Sequence, residues 1–180
     1  MAILIDTYSE SNQSTSQSVR SGLVIIDGQA FTATGLLLAS AIFNLSRDGS
    51  PTGNCYARIY THSGTYGTSS VGTGSPLAES DPIDVTTISA SPTFTLTTFT
   101  FSGANRIYLV KDTPYIIAFN FEGGSSGNDI NVGIDAISPT HGGNRTFFNS
   151  AWNAVSTSDS CFYIYGEAPG GQSVSLLGIQ

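Results

Sequence analysis

Residues Asp27–Tyr60 read DGQAFTATGLLLASAIFNLSRDGSPTGNCYARIY. In this stretch Ala41, Phe43 and Leu45 fall on one face and Asn44 and Ser46 on the other, the period of two of a half-buried strand. After the turn Asp48-Gly49-Ser50-Pro51-Thr52-Gly53 the pattern resumes, with Cys55, Ala57 and Ile59 inward and Tyr56, Arg58 and Tyr60 outward. Strands are therefore expected over Leu38–Arg47 and Asn54–Thr61, with Gln29–Ala33 as a third. The expected class is all-β, an antiparallel β-sandwich, jelly-roll-like, with extended N- and C-terminal segments. Nothing in the stretch implies a reaction.

Working outward, Phe94–Ser102 alternates aromatic or aliphatic residues with threonine, and Tyr115, Ile117, Phe119 and Phe121 share one face of another strand. Arg106–Val110 precedes that strand across the turn Lys111-Asp112-Thr113-Pro114. Ile130–Asp135, Thr146–Asn153 and Cys161–Gly166 complete the later strands, and Pro76–Ile88 reads as an edge because Pro82 cannot donate to a ladder. Ala2–Tyr8 alternates only weakly; Ser9–Ser18 reads as a polar connection and Val19–Ile26 as an apolar run. His62–Ser75 reads as a long loop centred on Tyr66. The domain plan expected is an N-terminal strand and polar linker over 1–18, the sandwich over 19–167, and a linker and tail over 168–180.

The 180 residues suffice for one domain with a real core. Charged residues make up only 11 %, and six Lys plus Arg face thirteen Asp plus Glu, for a net charge of −7. That balance provides no basic stripe for phosphates and no attraction to an anionic bilayer, so neither nucleic acid nor membrane is an expected partner. The apolar runs Leu23–Ile26 and Leu36–Ala39 are far too short to span a bilayer. The opening Met1-Ala2-Ile3-Leu4-Ile5-Asp6 is too short for a secretory signal and lacks its basic start, so either the protein is made and assembled in the cytoplasm, the reading that an initiating Met favours, or a leader is missing from the sequence. Cys55 and Cys161 lie on separate strands, as buried thiols or as a disulfide between an early strand and the last one.

Catalytic signals fail on context. Gly123-Gly124-Ser125-Ser126-Gly127 fits G-x-S-x-G, but it joins two strands where a nucleophile elbow needs a strand followed by a helix. His62 and His141 are the only histidines, both in glycine-rich loops, without the spacing of a metal motif even with Asp135 nearby. Neither a calcium loop nor a phosphate-cradling loop is present, so no cofactor is expected. Asn12-Gln13-Ser14, Asn44-Leu45-Ser46 and Asn144-Arg145-Thr146 fit the glycosylation acceptor, which matters only on a eukaryotic secretory route. Recognition stays open. Tyr66, Phe147, Phe148 and Trp152 sit in or near loops, and aromatics beside Asp and Asn suit a sugar surface, which makes Tyr66, His62, Trp152 and Asp135 candidate glycan contacts. The alternative is that Trp152 and one Phe cap the core.

Six segments carry a resemblance: Tyr8–Gln13, Gly28–Thr32, Gly49–Asn54, Tyr60–Ser70, Pro139–Asn144 and Cys161–Gly166. With them the chain resembles a family of mostly uncharacterised β-sandwich domains of tailed-phage and prophage structural proteins and some bacterial surface proteins. The likeness runs from Tyr8 to Gly166, with Val19–Ile26 more apolar than the pattern. It implies a non-enzymatic virion protein, a capsid decoration protein or a head or tail fibre module on the virion surface, bound to capsid or tail proteins of its particle. Two apolar end segments suggest how it assembles: Ile3, Leu4 and Ile5 at one end, Val174, Leu176, Leu177 and Ile179 at the other. An unpaired strand is a template for a neighbouring chain, and a cyclic homo-oligomer such as a trimer is expected. The rival classes are a lectin-like adhesion module for surface glycans and a strand-exchanging extracellular filament subunit.

Overall fold

The structure is a computed structural model that describes residues 1–170. Its strands, in chain order, are β1 (Ile3–Tyr8), β2 (Thr15–Val19), β3 (Ile26–Thr32), β4 (Leu37–Asp48), β5 (Asn54–Ser63), β6 (Val71–Glu79) and β7 (Ile83–Asp84). They continue with β8 (Thr95–Thr100), β9 (Pro114–Asn120), β10 (Asp129–Asp135), β11 (Arg145–Phe148), β12 (Trp152–Val155), β13 (Asp159–Ser160) and β14 (Phe162–Glu167). Single 3₁₀ turns at Glu10–Asn12, Val85–Thr87 and Gly103–Asn105 are the helical pieces among the described residues.

The chain is an all-β sandwich of two curled antiparallel sheets. One runs β1-β14-β4-β10-β13, with β2 also on β10 and β8 on β4; the other runs β12-β11-β3-β9-β5-β6, with β7 on β5. Alternation brings the inner faces together as expected. Ala41, Phe43 and Leu45 of β4, Cys55, Ala57 and Ile59 of β5, and Tyr115, Ile117, Phe119 and Phe121 in and around β9 all point into one core. At its centre Phe43, Phe99 and Phe119 pack edge to face, with ring centroids 6.0–6.1 Å apart, and so pin β4 and β8 of one sheet to β9 of the other.

The second sheet is buried on both faces along β3 and β9, because it curls until β12 lies against β6. This curl encloses a second cluster of Ile26, Ala30, Tyr60, Ile116 and Ala118, capped by Phe148 and Trp152. Tyr60 is therefore outward on β5, as its alternation implies, yet only 4 % exposed.

Several expectations need correction. Ala2–Tyr8 is not a free strand set apart from the domain: β1 pairs with β14, and a bulge between Leu4 and Asp6 turns both Ile5 and Tyr8 into the core. Ser9–Ser18 is not structureless, since β2 pairs with β10 from Thr15 to Val19. Residues 1–18 thus belong to the sandwich. The 62–75 loop shrinks to a turn, because β5 runs to Ser63 and β6 starts at Val71. Arg106–Val110 forms only a single bridge, Tyr108 to Leu37. Val174, Leu176, Leu177 and Ile179 lie outside the described residues.

Candidate functional site

The four proposed glycan contacts do not form one group. His62 follows Tyr60 by two residues on β5 and therefore shares its face, and Tyr66, in the turn beyond, brings its ring to 6.2 Å from the imidazole. Trp152 of β12 reaches the same side, with its ring 5.1 Å from Tyr60 and 5.6 Å from Phe148. The three are half-buried along one aromatic face. His62 also hydrogen-bonds Ser70 Oγ through Nε2 at 2.9 Å, and burial pushes its pKa down. Asp135 lies in the other sheet, on β10. Its carboxylate accepts from the Ile137 and Ser138 N–H groups at 3.0 and 3.2 Å, and from the Tyr8 and Ser14 hydroxyls at 2.8 and 3.0 Å. The Ile137 backbone donor is the main cause that holds Asp135 below the usual carboxylate range. It braces the 136–138 turn and is not free for a ligand.

A polar seam closes one end of the sandwich. Arg145 of β11 donates from Nε to Asp27 Oδ1 at 2.7 Å and from Nη2 to Gln17 Oε1 at 2.7 Å, and Ser160 Oγ donates to Asp27 Oδ2 at 3.0 Å. Burial raises the Asp27 carboxyl, and the Arg145 charge offsets part of that rise. Beside it, the Gln29 amide donates to Asp159 Oδ1 at 2.8 Å and accepts from Ser160 N–H at 2.9 Å. His141 stands at the edge of this seam. Its Nδ1 accepts from Gly143 N–H at 3.0 Å, so the ring proton sits on Nε2, 3.3 Å from Asp6 Oδ2. Burial lowers the His141 pKa and the Asp6 contact raises it, with a net rise; yet charging the ring would place a proton on Nδ1 against the Gly143 donor. Every heteroatom of this imidazole is spoken for within the fold.

Neither Cys55 nor Cys161 is in a disulfide. Both are buried, and burial pushes each thiol up to about 12, far from a reactive thiolate. Among the described residues, no group of three or more His, Cys, Asp or Glu is placed to hold a metal ion. Ser125 of the G-x-S-x-G stretch lies in a turn closed by its own bridge to Asn128.

A groove absent from the sequence-based candidates lies at the other end of β5. Asn54, Tyr56 and Arg58 face it from β5, and Asn120 and Glu122 face it from β9 and beyond; its volume is about 180 Å³. Tyr56 and Asn120 are direct partners in the β5–β9 ladder. The outward alternation of Tyr56 and Arg58 is legible in the sequence, whereas the opposing wall comes from a strand more than sixty residues later. A wider hollow of about 390 Å³ lies between Ala39, Phe101 and the Arg106–Glu167 ion pair.

No protein-family model, curated protein or solved structure matches the chain.

Proposed function

We propose that this chain is a non-enzymatic structural protein of a bacteriophage particle, a capsid decoration protein or a head or tail fibre module on the virion surface. Its partners are further copies of itself, a trimer in the favoured arrangement, and capsid or tail proteins of the same particle. One observation carries this proposal. The outer edge of β1 has no partner strand among the described residues, and it starts with Ile3 and Leu4, 44 % and 46 % exposed. An apolar edge of this kind is a pairing template. It also lies beside the point where the chain leaves β14 for the apolar Val174–Ile179 segment, since Ile3 is opposite Gly166. The edge supports assembly alone, and the phage particle rests on the resemblance read from the sequence. Mass spectrometry of virions from the phage or induced prophage that carries the gene tests it. Hundreds of copies per particle mean capsid decoration and a few mean a fibre or tail position, while complete absence refutes the proposal.

A second function, lectin-like adhesion to surface glycans, is favoured by the gathering of Tyr66, His62 and Trp152 on one face. A glycan array with wild type and Trp152→Ala separates the two functions.

A further inference from the structure

The geometry points to the groove between β5 and β9 as a binding site for a single neutral sugar ring, which rests on the adhesion function and adds to it a site separate from the Tyr66–Trp152 face. Size comes first. At about 180 Å³ the groove is smaller than the roughly 300 Å³ at which pockets for drug-sized ligands begin. The groove is open to solvent, and its volume suits one small ring.

Its lining then selects the chemistry. Tyr56 presents an aromatic ring, the usual platform for the C–H face of a pyranose, and the Arg58 guanidinium stands 5.7 Å from the ring centroid and holds it. Arg58 in turn is clamped by Glu79 at 2.6 Å and Glu122 at 3.2 Å. Arg58 and Glu122 are the charged residues lining the groove, and Glu79 pairs Arg58 from outside it, so no spare positive charge is left to hold a phosphate or carboxylate. A cationic ligand meets the charge of the Arg58 guanidinium in the same groove. A neutral ligand rich in hydroxyls fits both constraints.

Hydrogen bonding supplies the specificity. Asn120 is only 2 % exposed, and its Nδ2 is committed to the Ile25 carbonyl at 3.2 Å and to Glu122 Oε1 at 3.3 Å. Its Oδ1 has no partner among the described residues, although the side chain lines the groove. A fixed amide with one open acceptor, next to a carboxylate and a guanidinium with further lone pairs and protons to offer, suits adjacent sugar hydroxyls, each of which both donates and accepts.

Saturation-transfer NMR on the full chain tests this, with methyl glycosides of glucose, galactose and mannose and with N-acetylglucosamine as probes. At least one probe should bind in the millimolar range. Tyr56→Ala should weaken that probe about tenfold, the loss of one stacking contact. Tyr56→Phe should restore it, and Glu122→Gln should weaken it without loss of the folded spectrum. Binding that persists unchanged in Tyr56→Ala and Glu122→Gln overturns the groove and leaves adhesion standing through another surface. Wild type that binds none of the probes overturns the groove, and the glycan array decides adhesion separately.

Discussion

Asp27 is fully buried on β3, and its negative charge is tolerable only because Arg145 reaches it across the β3–β11 ladder with Ser160 on the other oxygen. Removing one member strands the other. Arg145→Met should cost about 3–5 kcal/mol in urea unfolding, and the double variant Asp27→Asn with Arg145→Met should recover part of that loss. Asp135 allows a test in pH. Its folded pKa is depressed by the Ile137 and Ser138 N–H donors and the Tyr8 and Ser14 hydroxyls, so its contribution to stability is present above the ordinary carboxylate pKa. That contribution is lost as the pH falls through the lowered value. Asp135→Asn should therefore be less stable than wild type at neutral pH, with the gap closing in acid. Parallel denaturant curves from pH 7 down to pH 3 measure it, and a gap that stays constant across the range contradicts the account.

At the scale of the element, the closure of β12 against β6 depends on a missing side chain. A Cβ on Gly72 would lie 2.4 Å from Trp152 Cζ2, so the indole can cover β6 only where glycine stands. Gly72→Ala should push the ring outward and cost about 1–3 kcal/mol. Trp152 is the only tryptophan, so a red-shifted emission maximum and easier quenching report the displacement directly; unchanged emission would mean that the strands part without it. The same closure explains what the sequence could and could not reveal. β4 and β9 were legible because each carries large apolar residues at every second position toward one core, and β5 because Cys55, Ala57 and Ile59 keep the same period; β8 turns only Phe99 into that core and leaves Leu96 46 % exposed, so its apparent alternation was a weaker guide. β2 was hidden because Thr15-Ser16-Gln17-Ser18 has no apolar period and is held by its ladder to β10. The period of β1 is broken by its bulge, and β6 turns only Ala78 into the core, with Gly72 on the opposite face under Trp152. On the candidate side, the outward placing of Tyr56 and Arg58 was visible, but the wall of Asn120 and Glu122 exists only once β5 and β9 pair. Asp135 was singled out for its chemistry, and only the fold reveals that four donors already use it.

For the whole molecule, the decisive asymmetry is between guarded and unguarded edges. Natural sheets protect an outer strand with charge, proline, bulges or a covering segment. The β6 edge contains Pro76 and lies under the curled β12, so it is protected twice. The opening of β1 has neither lysine nor proline: Ile3 and Leu4 stand exposed ahead of its bulge, and Asp6, its one charge, faces His141. A net charge of −7 keeps copies apart at long range, so association through β1 must come from short-range strand pairing and apolar contact. Leu4→Lys should then convert an oligomer into a monomer in light scattering, with little change in the unfolding midpoint because the side chain at this position is not part of the core. Ile5→Ala makes the opposite control: this side chain is buried beside Gly166, so its truncation should cost about 2–4 kcal/mol whether or not the chain assembles. If wild type is already monomeric at concentrations well above micromolar, or if Leu4→Lys leaves the oligomer intact, the edge of β1 is not the contact and assembly must run through another face.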